Sequence, residues 1–349
     1  MKPIKKPLII AETQINPGSR QTLALPVPGQ SAYTPLSMPV HVIDGSKDGP
    51  ILFVSAAIHG DEINGIEIIR RLLQLPALDE ISGTLICIPI VNVYGFFNFT
   101  RYLPDRRDLN RSFPGAKHGS LASRVAHVFA TEIVEKSTHG IDLHTGANNR
   151  TNLPHIRANL DDETCEQLAI AFGTPVTVNA NLRDGSLRQY ALEKNVPLLL
   201  YEAGEALRFD ELSISAGVNG ITNVMCALGM SENIELNIPE VPVVEARSST
   251  WIRAPLSGLL RSEIELGARV KKGEILGKVA DALGENEMEI VSSATGILLG
   301  QTNLPVVNEG DALFHIARFD NSESVEDAIE TFQDGHIEGL KSDDYPEAR

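Results

Sequence analysis

The chain has 349 residues, of which 42% are hydrophobic and 22% are charged, and its formal net charge is −16 at pH 7. This composition is typical of a globular protein of one or two domains, and the acidic balance disfavours nucleic acid as a partner. Because the sequence contains no run of about eighteen uncharged apolar residues, we expect no transmembrane helix and no membrane partner.

The N-terminus and the cysteines indicate the cellular compartment. The first ten residues lack the apolar core and the small-residue cleavage site of a signal peptide. The three cysteines, Cys87, Cys165 and Cys226, show no C-x-x-C spacing, and Cys87 lies in an apolar run that is typical of a protein core. We therefore expect a cytoplasmic protein without a disulfide framework.

The first part of the chain alternates between strand and helix patterns. Residues 1–48 are typical of strands and turns, with strand-like segments at 8–11 and 39–43. Apolar patterns then predict a strand, a helix and a strand in succession, at 51–54, 63–73 and 85–91. A long polar connection follows at 92–119, and such a length inside a compact domain is usually functional.

The alternation continues to about residue 240. Further helices are predicted at 120–135, 165–172, 187–193 and 214–229, and further strands at 140–144 and 196–201. The predicted fold class is therefore α/β, with a mainly parallel mixed sheet flanked by helices over residues 1–240.

The sequence changes character after residue 240. Two copies of one half-unit, beginning at Ala254 and at Ala294, predict a small pseudo-symmetric all-β domain at 241–319. Residues 320–349 form an acidic tail with ten acidic residues against Lys341 and Arg349, and we expect one helix in it, at 325–332.

His59 and Glu62 lie where a predicted strand ends and a predicted helix begins. In open α/β sheets this edge binds ligands, and an imidazole and a carboxylate three residues apart can close on one metal ion. Alone, the pair is equally consistent with a solvated helix start, in which Asp61 and Glu62 offset the helix dipole.

His144 is the predicted third ligand. It ends the strand at 140–144, so it should emerge on the same edge as His59. Two histidines, one glutamate and an open position are the ligand set of a catalytic zinc site, which predicts one zinc ion per chain. Asp142 could orient a ligand imidazole. The alternative is that His144 only caps its strand.

Glu202 is the candidate general base. It directly follows the apolar strand at 196–201 and should reach the same edge of the sheet. Partial burial there would raise its pKa and help it to take a proton. The alternative is a surface carboxylate at the end of a strand.

The segment from Arg101 to Gly115 carries four arginines and is a candidate substrate-binding loop. A guanidinium group binds a carboxylate in bidentate fashion, so Asn110 and Arg111 could hold a substrate carboxylate while another arginine stabilises an oxyanion. The alternative is a basic surface loop paired with Asp105 and Asp108.

The motif order resembles that of the succinylglutamate desuccinylase/aspartoacylase family, which has a zinc carboxypeptidase-like fold. The resemblance is carried by His59-x-x-Glu62, Asp108-Leu-Asn110-Arg111, Asp142-Leu-His144 and Glu202. It implies that His59, Glu62 and His144 bind zinc, that Glu202 is the base, that Asn110 and Arg111 hold the substrate carboxylate, and that Arg101 polarises the scissile carbonyl. Arg106 is an alternative to Arg101, and both Arg183 and Arg188 are candidates for a further family arginine.

The C-terminal half-repeats resemble a biotinyl/lipoyl-type barrel. Such domains are modified on a hairpin lysine, but the corresponding hairpin near residues 285–289 has none, and no lysine occurs between Lys278 and Lys341. We therefore expect an unmodified structural barrel that shapes the entrance to the site or mediates an interface.

Three functions follow as hypotheses. The first is a zinc-dependent amidohydrolase that cleaves a small anionic N-acyl amino acid or related amide. The second is a metallocarboxypeptidase that acts on short peptides, and the third is a non-enzymatic binding protein that uses the C-terminal barrel. The sequence leaves the acyl group, the amine and the oligomeric state open, a homo-oligomer being one option.

Overall fold

The computed structural model of the protein describes residues 5–29, 35–231, 244–246, 248–319 and 323–341. The strands of the first 231 residues are β1 Leu8–Ile10, β2 Thr13–Ile15, β3 Ser19–Val27, β4 Leu36–Asp44, β5 Lys47–Ala56, β6 Ser82–Ile88, β7 His139–Gly146, β8 Arg150–Ala158, β9 Val176–Asn179 and β10 Leu198–Glu205. The helices are α1 Asn64–Leu72, α2 Val93–Phe97, α3 Leu121–Glu132, α4 Glu163–Phe172, α5 Leu187–Glu193, α6 Glu211–Ala227 and α7 Glu323–Lys341. Short 3-10 turns lie at Pro76–Glu80, Leu109–Arg111 and Val134–Lys136.

The C-terminal strands are short and closely spaced. They are β11 Val244–Ala246, β12 Ser248–Arg253, β13 Gly258–Ser262, β14 Arg269–Val270, β15 Ile275–Ala280, β16 Glu287–Val291, β17 Gly296–Thr302, β18 Val306–Val307 and β19 Ala312–Arg318.

A 13-stranded mixed sheet forms the centre of the molecule. Its main path runs β12-β19-β17-β8-β10-β7-β5-β6-β4-β3, with β9, β11 and β14 attached beside it. The prediction of an α/β fold with a mixed sheet is confirmed. Parallel pairing occupies the centre, β10-β7-β5-β6, whereas β4 and β3 on one side and β8, β17, β19 and β12 on the other pair antiparallel.

Helices cover both faces of the central strands. In β5, Phe53 faces the cluster that contains α3 and α5, whereas Leu52 and Val54 face the cluster that contains α1, α4 and α6. Strand residues alternate between faces, and β5 is apolar on both faces because helices bury both. Each fully buried aliphatic or aromatic side chain in these layers contributes about 1.5–3 kcal/mol.

The predicted helices are present, with ends shifted by a few residues. The segment predicted at 120–135 begins at Leu121, because the Ser120 side chain accepts from the backbone N–H of Ser123, and it ends in a 3-10 turn. The connection at 92–119 is long, as expected, but it also contains α2 and the turn Leu109–Arg111. Cys87 is buried in β6, which raises the pKa of its thiol to about 12 and fits a core residue.

The C-terminal strands form two interlocked sheets. β16, β15, β13 and β18 make a separate four-stranded antiparallel sheet, whereas β12, β19, β17 and β14 belong to the 13-stranded sheet. The repeat predicted from Ala254 and Ala294 maps onto corresponding strands, β13 and β17, one in each sheet. An apolar core lies between the sheets, and β17 joins the strands of the first 231 residues by pairing with β8. A small all-β unit is therefore present, and its likeness to a biotinyl/lipoyl barrel stays a prediction.

The helix predicted at 325–332 is part of the longer α7. Val325 and Ile329 are buried against Leu153 of β8 and Ile297 of β17, so this helix covers the junction between the two parts of the large sheet. The remainder of the predicted acidic tail, at 320–322 and 342–349, and the expected domain boundary near 241 lie outside the described residues. Among the described residues, no helix has the length and apolar content that crossing a membrane requires.

Candidate metal centre and active site

His59 and Glu62 lie in a tight turn between β5 and α1. The turn is closed by the backbone N–H of Glu62, which donates to the carbonyl of His59 at 3.1 Å. Gly60 is required here, because a Cβ at this position would lie 2.0 Å from the carbonyl carbon of Gly95 in α2. The sequence thus folds so that both functional side chains leave the end of a buried strand together.

Glu62 bridges the two histidines that were predicted to share a metal with it. Its Oε1 lies 2.7 Å from His59 Nδ1 and its Oε2 lies 2.7 Å from His144 Nδ1. All three side chains are buried, with at most 5% of each residue exposed. His144 reaches this point from β7, which pairs in parallel with β5.

Two further carboxylates, those of Asp142 and Asp108, contact the Nε2 atoms of the histidines. His144 Nε2 lies 2.8 Å from Asp142 Oδ2, and Asp142 in turn accepts from the hydroxyl of Ser55 at 2.7 Å. His59 Nε2 lies 3.2 Å from Asp108 Oδ1. These contacts fix both imidazole rings so that each presents Nδ1 to Glu62, which is the orienting role expected of Asp142.

The electrostatics of this group keep Glu62 ionised. Burial opposes the charged carboxylate, but His59 and His144 outweigh burial and hold the pKa of Glu62 far below its usual range. Burial likewise disfavours protonated histidines, yet the surrounding carboxylates raise the pKa of both His59 and His144. The carboxylates that surround the two rings therefore make this point of the structure favourable for positive charge.

The residues present fit a divalent metal ion. One ligand atom from each of His59, Glu62 and His144 lies within 4.8 Å of the other two. Two imidazoles and an ionised carboxylate are nitrogen and oxygen donors of the type that zinc and other first-row metals take.

Glu202 lies beside this group on β10. It is directly opposite His144 in the parallel pairing with β7 and directly opposite His155 in the antiparallel pairing with β8. Asn152 Nδ2 donates to Glu202 Oε2, and Arg157 Nη1 is 3.5 Å from Glu202 Oε1. The carboxylate is half-buried and faces the same cavity as the His–Glu–His group.

Of the candidate arginines for the scissile carbonyl, Arg101 is at the site and Arg106 is not. Arg101 Nη1 lies 3.1 Å from His59 Nδ1 and 3.4 Å from Glu62 Oε1, and its Nε and Nη2 donate to Asp108. Arg106 is exposed on the outer side of the same loop.

The proposed carboxylate-binding pair lies at the edge of the cavity. Asn110 is buried and its Oδ1 accepts from the backbone N–H of Leu187, so it also fixes the start of α5. Arg111 is exposed and lines the cavity. Arg183 and Arg188 line it too; Arg188 is buried and donates to the carbonyls of Ala180 and Asn181.

These residues share one cavity of about 760 Å³. It extends from the His–Glu–His group past Glu202 to β12, β19 and the turn before β19. This C-terminal part contributes seven lining residues: Ser249, Trp251, Arg253, Gly310, Asp311, Ala312 and His315. Seven arginines and three carboxylates line it, which leaves a formal charge of +4 in a chain whose net charge is −16.

Sequence analysis missed the contribution of β8 and of the C-terminal strands. Asn152, His155 and Arg157 come from β8, whose sequence RTNLPHIRA contains a proline and several polar residues and so lacks a clear strand pattern. The available signal was the alternation of polar side chains on either side of Pro154. Nothing in the local sequence of Trp251 or His315 points to a site at residue 59.

The fold and the site define a class of protein: an α/β protein whose large mixed sheet carries a buried His–Glu–His group able to hold a metal ion. The family follows from the sequence, because the model of the succinylglutamate desuccinylase/aspartoacylase catalytic domain matches residues 48–228. The chain belongs to the succinylglutamate desuccinylase/aspartoacylase family, as its motif order predicted.

Individual relatives support this assignment. The chain is 28% identical over 309 residues to N-alpha-acetyl-L-2,4-diaminobutyric acid deacetylase of Halomonas elongata, a match that covers 84% of this chain and 90% of that protein. Its fold is similar to a succinylglutamate desuccinylase/aspartoacylase from Rhodobacter sphaeroides, with a TM-score of 0.78 at 23% identity over 86% of this chain and 96% of the other. A product-bound structure of the ectoine utilisation protein EutE (DoeB) from Ruegeria pomeroyi gives a TM-score of 0.78 at 23% identity, over 85% and 94%.

Proposed function

We propose that the protein is a zinc-dependent amidohydrolase that removes the acyl group from a small anionic N-acyl amino acid. One observation carries the proposal: His59, Glu62, His144 and Glu202, far apart in sequence, line the same cavity. A metal-binding group beside a carboxylate held for proton transfer is the arrangement that metal-assisted hydrolysis needs. A protein that only binds ligands through its C-terminal strands has no use for this arrangement.

The metal we assign to the site is zinc. His59, Glu62 and His144 would hold one ion per chain and leave a coordination position open, as catalytic zinc sites do. When bound, zinc supplies a Lewis acid that polarises a carbonyl and lowers the pKa of water to roughly 7.

Glu202 is the group that we assign to proton transfer. Asn152 and Arg157 each hold one of its oxygens, so the carboxylate has a fixed position in the cavity. As general base it takes a proton from the attacking water and then delivers it to the nitrogen of the leaving amine. Arg101, whose Nη1 lies 3.1 Å from His59 Nδ1, is the group that we assign to the oxygen of the scissile carbonyl, where negative charge develops.

The charge of the cavity supports an anionic substrate. Asn110 and Arg111 are the residues that we assign to the substrate carboxylate, and the remaining arginines add further positive charge. The Halomonas relative is named for an amino acid whose side chain carries an amine, which is a poor match for a cavity lined by seven arginines. We therefore propose the same type of reaction as in that relative, on an amino acid of different charge.

The C-terminal part closes one side of the cavity. We propose that residues 1–240 form the catalytic domain and residues 241–319 a small β-domain that limits the size of the substrate. The contribution of seven cavity residues by the C-terminal strands supports this division of roles. It favours a small amide over the peptide that a metallocarboxypeptidase would bind.

Two measurements test the proposal together. Protein purified without added metal is assayed for zinc, and the same protein is screened against N-acyl amino acids and dipeptides. We expect about one zinc per chain and release of free amine from acyl amino acids at rates typical of enzymes, roughly 1–1000 per second. Protein that contains zinc yet cleaves only dipeptides would instead identify a carboxypeptidase. Protein without zinc and without hydrolysis would overturn the proposal.

A further inference from the structure

The C-terminal wall of the cavity is built on the same sheet as the catalytic residues. A row of directly opposed residues runs across four strands: Trp251 on β12, His315 on β19, Gly300 on β17 and Asn152 on β8. Asn152 in turn holds Glu202. Gly300 allows this close packing, since a Cβ there would lie 2.5 Å from Asn152 Oδ1. The C-terminal side chains are therefore fixed relative to Glu202 by continuous strand pairing.

Trp251 and His315 form a flat, rigid wall. Their rings stack with centroids 4.6 Å apart and an angle of 6° between planes. The guanidinium carbon of Arg150 lies 5.2 Å from the centroid of the Trp251 ring, which is a cation–π arrangement. His315 is buried, and His155 and Arg157 act with burial to keep its ring neutral. Arg150 is thus held in place by an aromatic surface and not by a carboxylate.

Arg150 and Arg253, like Arg111 and Arg183 on the other side of the cavity, make no ion pair with a carboxylate among the described residues. Arg101 and Arg157 pair with carboxylates, and Arg188 is buried on backbone carbonyls. Arg150 donates to the carbonyl of Ala312 at 3.4 Å and Arg253 donates to the carbonyl of Gly310 at 2.7 Å. Among the described residues neither has a carboxylate partner. Because a guanidinium group has five N–H donors, most donors of both remain for a ligand.

Asp311 also lines this side of the cavity, but within the described part of the chain it forms no ion pair with Arg150 or Arg253. Its Oδ2 accepts from the backbone N–H of Asn308 at 2.8 Å and thereby closes its own turn.

The distance between Arg150 and Asn152, the residue that holds Glu202, also suits a small molecule. Arg150 precedes Asn152 by two residues on β8, which is about 7 Å along a strand.

We propose that Arg150 and Arg253, with Trp251 and His315 as their supporting wall, form a second anion subsite that binds a carboxylate on the substrate, remote from the scissile amide. This inference rests on the proposed deacylase function. The subsite of Arg150 and Arg253 is distinct from the pair Asn110 and Arg111, which lies on the α5 side of the cavity. The carboxylate belongs either to a dicarboxylic acyl group or to the side chain of the amino acid, and both sources present the same chemistry.

Matched substrates separate the two sources. N-acetyl-aspartate is compared with N-acetyl-asparagine, and N-succinyl-alanine with its terminal amide, so that each pair differs in one charge. We expect kcat/KM to favour the charged member of one pair at least about tenfold, since hydrogen bonds to charged groups are worth more than neutral ones. The pair that shows the preference identifies the source.

The residues are tested with Arg150→Gln and Arg253→Gln. Each should reduce the charged-to-neutral ratio of kcat/KM about tenfold, mainly through KM, because each removes one charge-assisted contact. Arg261→Gln is the matched control, as Arg261 is an exposed arginine of β13 outside the cavity. An unchanged ratio in both cavity variants, or an equal fall with the control, overturns the subsite.

A binding measurement tests the subsite without requiring that the protein hydrolyse a substrate. Succinate is titrated into the wild-type protein and the three variants by calorimetry, with folding checked by circular dichroism. We expect Arg150→Gln and Arg253→Gln, and not Arg261→Gln, to weaken binding about tenfold. If the wild-type protein cleaves none of the substrates but shows this pattern, the deacylase proposal fails and the subsite stands. If all four proteins bind succinate alike, or none binds it, the subsite is wrong.

Discussion

Glu202 lies directly opposite His144 on adjacent parallel strands, β10 and β7. Parallel strands end at the same edge of a sheet, so β7, which carries His144, and β10, which carries Glu202, bring both side chains to one place. The relationship is fixed by backbone pairing and does not depend on the conformation of a loop. It makes the role of Glu202 directly testable.

Replacement of Glu202 by glutamine should abolish most turnover and leave the metal in place. The amide keeps the size of the side chain but cannot take a proton, so we expect kcat to fall by roughly 10²–10⁴-fold. Steady-state kinetics and metal analysis of the same preparation measure both effects. The matched control is Glu205→Gln, in the same strand, where the carboxylate accepts from the backbone N–H of Asn149 outside the cavity lining. Near-normal turnover in Glu202→Gln would remove this residue from the mechanism.

Asn152 should act through Glu202 as a positioning residue. Its Nδ2 donates to Glu202 Oε2, so Asn152→Ala leaves the carboxylate with Arg157 as its remaining side-chain partner. A hydrogen bond to a charged group is worth about 1.5–3 kcal/mol, which predicts a fall in kcat of roughly tenfold to a hundredfold with KM little changed.

The control for this position is Asn303→Ala. Asn303 also donates to a glutamate, Glu205, but it is exposed and does not line the cavity. A loss that appears only as lower thermal stability would show that Asn152 is merely structural.

The sequence was informative where a potential ligand or base stands directly beside a recognisable strand or helix pattern. His59 and Glu62 are predicted from a strand-to-helix junction. His144 and Glu202 follow apolar runs near the ends of β7 and β10, which continue to Gly146 and Glu205, a few residues beyond the predicted ends, so their edge of the sheet follows from parallel pairing. The central strands and the helices that cover them were likewise predictable, since their apolar period is set by burial on both faces.

The rest of the site depends on pairing that local patterns do not encode. β8 carries polar residues because one of its faces lines a cavity, so its pattern is not that of a buried strand. β17 pairs with β8 across about 150 residues of chain, and that contact brings Trp251 and His315 to the cavity. Which of Arg101 and Arg106 lies near His59 also depends on the three-dimensional path of the chain, because both belong to one irregular loop.

Asp142→Asn should weaken metal binding. Asp142 accepts from Ser55 and faces His144 Nε2 at 2.8 Å, so it fixes the ring with Nδ1 turned toward Glu62. Loss of such an orienting carboxylate typically reduces metal affinity 10–100-fold. Competition with a chelating dye measures the affinity, and Asp79→Asn serves as control because Asp79 pairs with Arg20 on the surface. Equal affinity in wild type and Asp142→Asn would show that Glu62 alone orients His144.

His315 should make the protein less stable in mild acid. Burial, and then His155 and Arg157, lower the pKa of His315 to about 3, while the ring stacks on Trp251. In the unfolded chain an ordinary histidine takes up a proton below about pH 6.5, which the folded protein resists. The unfolded state therefore binds more protons below that pH, and stability falls as the pH drops from about 6.5 toward 3.

The variant His315→Gln tests the predicted direction of this pH dependence of stability. Between about pH 7.5 and about pH 5.5, one such histidine should cost about 1 kcal/mol of unfolding free energy. We expect urea denaturation to show a correspondingly smaller loss over this interval in His315→Gln than in wild type. His118→Gln replaces an exposed histidine and should reproduce the wild-type loss. A loss in His315→Gln that equals or exceeds that of wild type would mean that the folded protein does not lower the pKa of this ring.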